Sequence, residues 1–251
     1  VNSPSGIGGI GNIYNNMTPS LTLGTGSYGG NSISHNVTDW DLLNIKTIAK
    51  RRENRQWVKI PPKVYFQRNS LKELQDIPNI NRASIVTGPG MSKRGYVQRV
   101  IDQLRQRQNN TAFLVFDDVE EDPSTNTVEK GVAMMNDFKP DTIIALGGGS
   151  PMDAAKAMWM FYEHPETSWY GVMQKYLDIR KRAYQIKKPT KSQLIGIPTT
   201  SGTGSEVTPF AVITDSKTHV KYPLADYALT PNIAIVDSQF VETVPPKTTA
   251  Y

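Results

Sequence analysis

Apolar residues between positions 63 and 236 fall into two patterns, short continuous runs and stripes with helical spacing. Runs of the length expected for strands lie at residues 63–66, 83–87, 112–116, 141–146, 193–197 and 233–236. Stripes with the spacing of one helix face lie in the segments 97–104, 124–138 and 151–162. Strands that alternate with helices predict an α/β fold whose sheet is mostly parallel.

The run at residues 141–146 is apolar at nearly every position, as expected for a strand whose two faces are both covered. Residues 210–214 and 219–222 are predicted to form a hairpin around residues 215–218. The predicted fold is therefore a Rossmann-like sheet flanked by helices, with ligands expected at the carboxyl ends of its strands.

The amino-terminal part of the chain has a different composition. Residues 1–38 are rich in Gly, Ser and Asn and contain one weak strand candidate. Residues 39–59 carry a partial helical stripe, and Pro61 and Pro62 end that segment. We therefore predict a Gly-rich segment at 1–38, a linker with a helix at 39–62, and the α/β domain at 63–251.

Three glycines and a serine, residues 147–150, connect the buried run at 141–146 to a predicted helix. In this glycine turn the backbone can approach a ligand closely, and the free amides of the helix start favour an anion such as pyrophosphate. Ser150 offers a hydroxyl donor, and Asp153 lies in the first helical turn. The alternative is a tight strand-to-helix turn that binds no ligand. The spacing is not G-x-G-x-x-G, which argues against a standard Rossmann dehydrogenase.

A second polar segment, the hydroxyl loop at residues 198–206, follows the run at 193–197. Its hydroxyl residues, which can donate to phosphate, ribose or a carboxamide, are Thr199, Thr200, Ser201, Thr203 and Ser205. A Ser- and Gly-rich surface loop is the alternative. Because the carboxyl ends of parallel strands lie at one edge of a sheet, we expect the hydroxyl loop and the glycine turn to face one crevice.

Together, the glycine turn with Asp153 and the hydroxyl loop resemble the iron-dependent (group III) alcohol dehydrogenases. The likeness extends through residues 206–208, 214–215, Lys221 and residues 231–237. Residues 178–182 and 221–231 look particular to the bifunctional aldehyde–alcohol dehydrogenases of that family. Residues 19–32 resemble the last segment of their aldehyde dehydrogenase half. The resemblance thus assigns 1–38 to that half, 39–62 to the interdomain linker and 63–251 to the dinucleotide-binding subdomain.

The resemblance also implies which residues bind NAD. Residue by residue, it indicates Gly148, Gly149, Ser150, Asp153, Thr199, Thr200, Thr203, Thr208 and Lys221. Gly148, Gly149 and Ser150 would hold the pyrophosphate, and Lys221 would reach the ribose near the nicotinamide. The alternative for Lys221 is a solvated lysine on the hairpin. No catalytic residue is expected in this sequence.

For the intact protein, the resemblance implies NAD(H)-dependent interconversion of acetaldehyde and ethanol, coupled to acetyl-CoA reduction by the aldehyde dehydrogenase half. Iron is expected to bind to ligands beyond Tyr251, since His35, His164 and His219 form no ligand pattern. We therefore expect the chain alone to be inactive. The alternatives are a related dehydrogenase for another small alcohol, and a mainly structural fragment in a homo-oligomer or helical filament.

One position departs from the family pattern. Many relatives have an Asp after the first strand of this domain, where it can bond the adenosine ribose. This sequence has Thr87, Gly88, Pro89 and Gly90 there, so the preference for NAD over NADP stays open.

Composition excludes several other classes of function. Cysteine is absent, which excludes disulfides, a thiolate nucleophile and a cysteine-based zinc site. The net charge is +5, but the basic residues are dispersed and lack interleaved aromatic residues, so no nucleic-acid partner is expected. The sequence shows neither an apolar run of membrane-spanning length nor a signal-peptide pattern, so we expect no membrane partner and a cytoplasmic location.

Overall fold

The structure is a computed structural model, and it describes residues 58–174, 179, 184, 186–242, 244 and 245. All of these except Ile179 belong to one compact unit, which spans residues 58–175 and 184–251. The predicted Gly-rich segment, the linker helix up to residue 57 and most of the 178–182 motif lie outside the described residues.

Six of the described strands form one parallel sheet, and two more form a hairpin. In chain order the strands are β1 (Lys63–Phe66), β2 (Arg82–Val86), β3 (Ala112–Phe116), β4 (Thr142–Gly147), β5 (Gln193–Pro198), β6 (Phe210–Thr214), β7 (Lys221–Ala225) and β8 (Ile233–Val236). The sheet has the strand order β1-β8-β5-β4-β2-β3, and β6 pairs with β7 in antiparallel orientation. This confirms the predicted α/β fold with a parallel sheet.

Helices connect most of these strands. The described α-helices are α1 (Pro89–Lys93), α2 (Tyr96–Arg105), α3 (Thr125–Phe138), α4 (Gly149–Glu163) and α5 (Trp169–Val172). Short 3₁₀ segments occupy Ser70–Gln75, Tyr227–Leu229 and Ser238–Phe240. The sequence pattern did not predict α1, α5 or the 3₁₀ segments, because each is too short to show a periodic stripe.

Local backbone geometry explains where two elements begin. Helix α4 starts at Gly149, two residues before the predicted start, because Gly148 takes the extended N-cap conformation. The second arm of the hairpin starts at Lys221 and not at residue 219. His219 has a φ of 57°, which a strand residue does not adopt, and its amide donates to the Asp215 carbonyl at 2.8 Å. These two boundaries were therefore wrong in the sequence-based prediction.

The sheet is covered by apolar residues on both faces. Ile143 and Ala145 of β4 belong to a core cluster that includes residues of α3, α4 and the hairpin. Ile144 and Leu146, the alternate residues, belong to a second cluster that includes residues of α2 and Leu71 of the 3₁₀ segment. The continuous apolar run of β4 follows from this two-sided burial, since successive side chains of a strand point to opposite faces.

Candidate functional site

The glycine turn begins at the carboxyl end of β4, in a backbone conformation that only glycine readily adopts. Gly147 has a φ of 147°, and a Cβ on it would lie 2.7 Å from Cγ of Pro151. Gly148 then caps α4 in an extended conformation without a side-chain hydrogen bond to the helix start. The amides of Gly149 and Ser150 therefore lie in the first turn of a 15-residue helix without a side-chain cap. Such amides favour an anionic ligand.

The hydroxyl loop lies directly against the glycine turn. Strands β4 and β5 are neighbours, so that Gly147 pairs with Pro198, and the Thr199 amide donates to the Gly147 carbonyl at 3.0 Å. A Cβ on Gly148 would lie 3.2 Å from Oγ1 of Thr200, and a Cβ on Gly149 would lie 3.5 Å from Cγ2 of Thr203. The absence of side chains on these two glycines thus leaves a narrow cradle between the two segments.

One hydroxyl at this cradle is buried and has no hydrogen-bond partner among the described residues. It is Oγ1 of Thr200. A buried hydroxyl without a partner is costly unless a ligand or water completes it. The cradle, the uncapped helix start and this hydroxyl together fit the pyrophosphate of a dinucleotide.

Two residues predicted to contact the cofactor, Ser150 and Lys221, form hydrogen bonds with an acidic loop at residues 117–122. The Ser150 hydroxyl donates to the Glu121 carbonyl. Nζ of Lys221 donates to Oδ1 of Asp122 at 2.7 Å, and the two side chains are 55% and 65% exposed. Ser150 and Lys221 thus bond to adjacent residues of this loop, and each has a protein partner that a cofactor would have to share or displace.

The Asp153 carboxylate bonds to the hairpin. Its Oδ2 accepts from the Val212 amide at 2.9 Å, and so connects α4 to β6. Burial raises the pKa of Asp153 to about 6, although the Val212 amide, Lys156 and the Ser205 hydroxyl act in the opposite direction. At least one oxygen of Asp153 is therefore engaged by the fold.

The remaining threonines differ in their exposure. Thr199 is buried, Thr203 is exposed and Thr208 is half-buried. Oγ1 of Thr203 accepts from the Ser205 amide at 3.4 Å. The Thr208 amide donates to the Gly204 carbonyl at 3.1 Å, which closes the end of the hydroxyl loop on itself. All three lie on the segment that follows β5.

Sequence reasoning missed Lys156, a fully buried residue of α4. Its Nζ donates to the carbonyls of Thr208 and Phe210 at 2.8 and 2.7 Å. Burial lowers its pKa to about 8, while the nearby Asp153 and Glu206 carboxylates act to raise it. The sequence does contain a signal for such a residue, because Lys156 is a single cation among the small apolar residues of a helix that is buried along most of its length.

Residue 88, where this sequence lacks the carboxylate found in many relatives, is sterically constrained. A Cβ on Gly88 would lie 2.9 Å from the carbonyl oxygen of Val119, so a side chain there requires that loop to shift. The preceding residue, Thr87, is fully buried and donates from Oγ1 to the Leu146 carbonyl at 2.7 Å. The end of β2 thus packs tightly beside β4 and offers no carboxylate at position 88.

The described residues contain no cluster of three or more His, Cys, Asp or Glu side chains that could hold a metal ion. They therefore do not fit an iron site. In the part of the chain that the structure describes, no helix is long and apolar enough to cross a membrane.

Comparison with known proteins identifies a family match and close relatives. Residues 61–238 match the model of the iron-containing alcohol dehydrogenase family. Aldehyde-alcohol dehydrogenase 2 of Entamoeba histolytica is 56% identical over 99% of this chain, and the bifunctional aldehyde-alcohol dehydrogenase of Escherichia coli K12 is 51% identical over 100% of it. The chain spans only 29% and 28% of the length of these two relatives.

A similar solved structure is that of sulfoacetaldehyde reductase from Bifidobacterium kashiwanohense in complex with NAD⁺. It is 28% identical, with a TM-score of 0.63, and the match covers 78% of this chain and 50% of that one.

Proposed function

This chain belongs to the iron-containing alcohol dehydrogenase family, and from that premise we propose that its described residues form the NAD(H)-binding part of an alcohol dehydrogenase. The observation that supports this most is the cradle between the glycine turn and the hydroxyl loop. The buried hydroxyl of Thr200 lies beside it and has no hydrogen-bond partner in the described part of the chain. The NAD⁺ complex of a similar protein supports the choice of ligand.

In the proposed reaction, an aldehyde such as acetaldehyde and its alcohol are interconverted. When bound, NAD(H) supplies or accepts the hydride. The amides of Gly149 and Ser150 would bind the pyrophosphate at the start of α4, and the Thr200 hydroxyl would donate to it. Lys221, at the start of β7, would contact the ribose. Because the described residues do not fit an iron site, none of them is given a role in metal chemistry.

The names of the two relatives support a second activity for a longer protein that includes this chain. We propose an aldehyde dehydrogenase half that uses NADH to reduce acetyl-CoA, releasing coenzyme A and the acetaldehyde that the alcohol dehydrogenase half then reduces. Ethanol-dependent reduction of NAD by the intact protein is the expected activity. Activity with other small alcohols but none with ethanol would contradict the choice of substrate.

Replacement of Thr200 by Val tests the cofactor site. Since its hydroxyl has no partner among the described residues, its loss is expected to leave the melting temperature unchanged or slightly higher. The Kd for NADH is expected to rise about tenfold, because a hydrogen bond to a charged group is lost. NADH fluorescence titration of the 251-residue chain measures the Kd.

Thr230→Val is a matched control. Oγ1 of Thr230 is also buried and has no hydrogen-bond partner among the described residues. Thr230 precedes β8, however, and so lies at the amino ends of the strands, whereas the cradle lies at their carboxyl ends. Its replacement is expected to leave NADH affinity unchanged. Equal losses of affinity in the two variants, or no NADH binding by the wild-type chain, would contradict the proposed function.

A further inference from the structure

Lys156 is a buried cation that no step of the proposed reaction uses. It lies in the second turn of α4, with no exposed surface, and its neighbours Ala154, Ala155 and Ala157 are buried as well. Transfer of an ammonium group out of water is costly unless hydrogen bonds and opposite charges compensate. The surroundings of Lys156 must therefore provide such partners.

Both hydrogen-bond acceptors of Lys156 come from one short segment. Its Nζ donates to the carbonyls of Thr208 and Phe210 at 2.8 and 2.7 Å. The Asp153 and Glu206 carboxylates are the charged groups that favour its protonated form. Charge-assisted bonds of this length are roughly twice as strong as neutral ones. Lys156 thus fixes the backbone between the hydroxyl loop and β6 against α4.

That backbone segment leads to the cofactor cradle. The Thr208 amide donates to the Gly204 carbonyl at 3.1 Å, so the position of Thr208 fixes the end of the hydroxyl loop. The same loop places Thr200 and Thr203 against the glycine turn. A Cβ added to Gly148 would lie 3.2 Å from Oγ1 of Thr200, and one added to Gly149 would lie 3.5 Å from Cγ2 of Thr203. Since α4 also begins at the glycine turn, one helix determines the positions of both walls of the cradle.

We propose that Lys156 is a positioning residue for the cofactor site: through Thr208 and Phe210 it holds the hydroxyl loop at the distance from the glycine turn at which Thr200 can bond to a pyrophosphate. Lys156 itself does not touch the cofactor. This inference rests on the proposed NAD(H)-binding function.

The test is NADH titration of the 251-residue chain with Lys156→Met, a substitution that keeps most of the side-chain length and removes the donor. We expect the Kd for NADH to rise at least about tenfold, because the loop loses its fixed position. Lys156→Gln keeps a donor for one of the two carbonyls, and its Kd is expected to lie between those of wild type and Lys156→Met. This conservative variant also serves if Lys156→Met does not fold.

Glu163→Gln is the matched structural control. Glu163 is a buried charge at the other end of α4, and its carboxylate accepts from the amides of Thr190, Lys191 and Ser192 at 2.6–2.8 Å. Its replacement is expected to lower the melting temperature without changing the Kd for NADH. If both variants lose affinity in proportion to their loss of stability, Lys156 has only a structural role and the proposal is wrong.

A double-mutant cycle with Thr200 distinguishes positioning from a general loss of structure. If Lys156 acts by placing Thr200, then Thr200→Val in the Lys156→Gln background is expected to cost much less affinity than in the wild-type background. Fully additive effects would overturn the proposal. A wild-type chain that binds no NADH would instead refute the proposed function, whereas normal binding by every Lys156 variant would refute this inference alone.

Discussion

At the scale of single residues, the candidate site contains two charged groups that the fold has removed from water, Lys156 completely and Asp153 in part. Asp153 and Lys156 lie one turn apart on α4, and burial shifts the pKa of each toward neutrality, to about 6 and about 8. Each is engaged by the backbone of the segment 208–212. The same helix therefore carries an acceptor and a donor that hold one strand, and both groups influence how stability depends on pH.

The raised pKa of Asp153 leads to a prediction about acid pH. A carboxyl whose pKa is higher in the folded than in the unfolded state stabilises the fold at pH values below its unfolded pKa, and this contribution is lost as the pH rises through the folded pKa. For Asp153 this loss falls between the ordinary pKa of an aspartate, 3.8, and the raised pKa of about 6. In the wild type, Asp153 is therefore expected to lower the free energy of unfolding as the pH rises through this range, and this decrease is expected to be absent in Asp153→Asn. Denaturant unfolding at pH values from about 4 to about 7 measures the difference.

The control for Asp153 is Asp118→Asn, which changes an exposed carboxylate that has a long ion pair with Lys130 at 3.9 Å. This variant is expected to leave the pH profile of unfolding as it is in the wild type. An identical profile in Asp153→Asn and wild type would show that the Asp153 carboxylate does not titrate in this range.

The ion pair of Lys221 leads to a second prediction at this scale. Since Asp122 holds the ammonium at 2.7 Å, Asp122→Asn is expected to release Lys221 and to lower the Kd for NADH, by up to about fivefold given the strength of exposed ion pairs. Lys221→Met is expected to raise the Kd, most clearly at low ionic strength. NADH titrations at low and high salt measure both effects.

Lys217→Met, on the exposed turn of the same hairpin, is the control for the loss of one positive charge. It is expected to change NADH affinity little. If Lys217→Met and Lys221→Met weaken binding equally, Lys221 acts only through the general field of the surface and not through a contact with the ribose.

At the scale of secondary-structure elements, the geometry of the turn between β4 and α4 makes the cradle possible. Gly147 needs a φ that other residues rarely adopt, and Gly148 and Gly149 leave the space that faces Thr200 and Thr203. Ser124 caps α3 in the usual way, since its Oγ accepts from the Thr127 amide at 3.3 Å. The N-cap residue of α4, Gly148, has no side chain that could make such a bond, so the first amides of α4 do not have this partner.

Gly147→Ala tests how strongly this turn depends on glycine. The added Cβ would lie 2.7 Å from Pro151 and the residue would keep an unfavourable φ of 147°, so we expect a loss of stability of about 1–3 kcal/mol. Denaturant unfolding measures the loss. Gly90→Ala is the control, because a Cβ on Gly90 meets nothing within 4 Å, and it is expected to change stability by less than about 1 kcal/mol.

At the scale of the whole molecule, the strand order brings the parts of the site together. β4 lies between β5 and β2, so the glycine turn has the hydroxyl loop on one side and the Thr87–Gly88 end of β2 on the other. The described helices α4 and α5 lie between β4 and β5 along the chain. Their carboxyl ends meet only because both strands run parallel in one sheet.

The sequence alone determined the fold class and the two motifs of the site. Continuous apolar runs predicted strands buried on both faces, and the glycines after β4 predicted a close approach of the backbone, because both signals are local. The predicted residues Gly148, Gly149, Thr200 and Thr203 do lie together. The boundaries of α4 and β7 were less accurate, since the conformations of Gly148 and His219 decide them.

Only the tertiary structure decided what these residues contact. The role of Lys156 depends on two carbonyls that are distant in sequence, and that of Asp153 on an amide of the hairpin. The tight packing of Gly88 against Val119 also follows from a neighbouring loop. Hydrogen-bond partners and burial are properties of the packed chain, and periodicity along a sequence records which face is buried but not which atoms meet there.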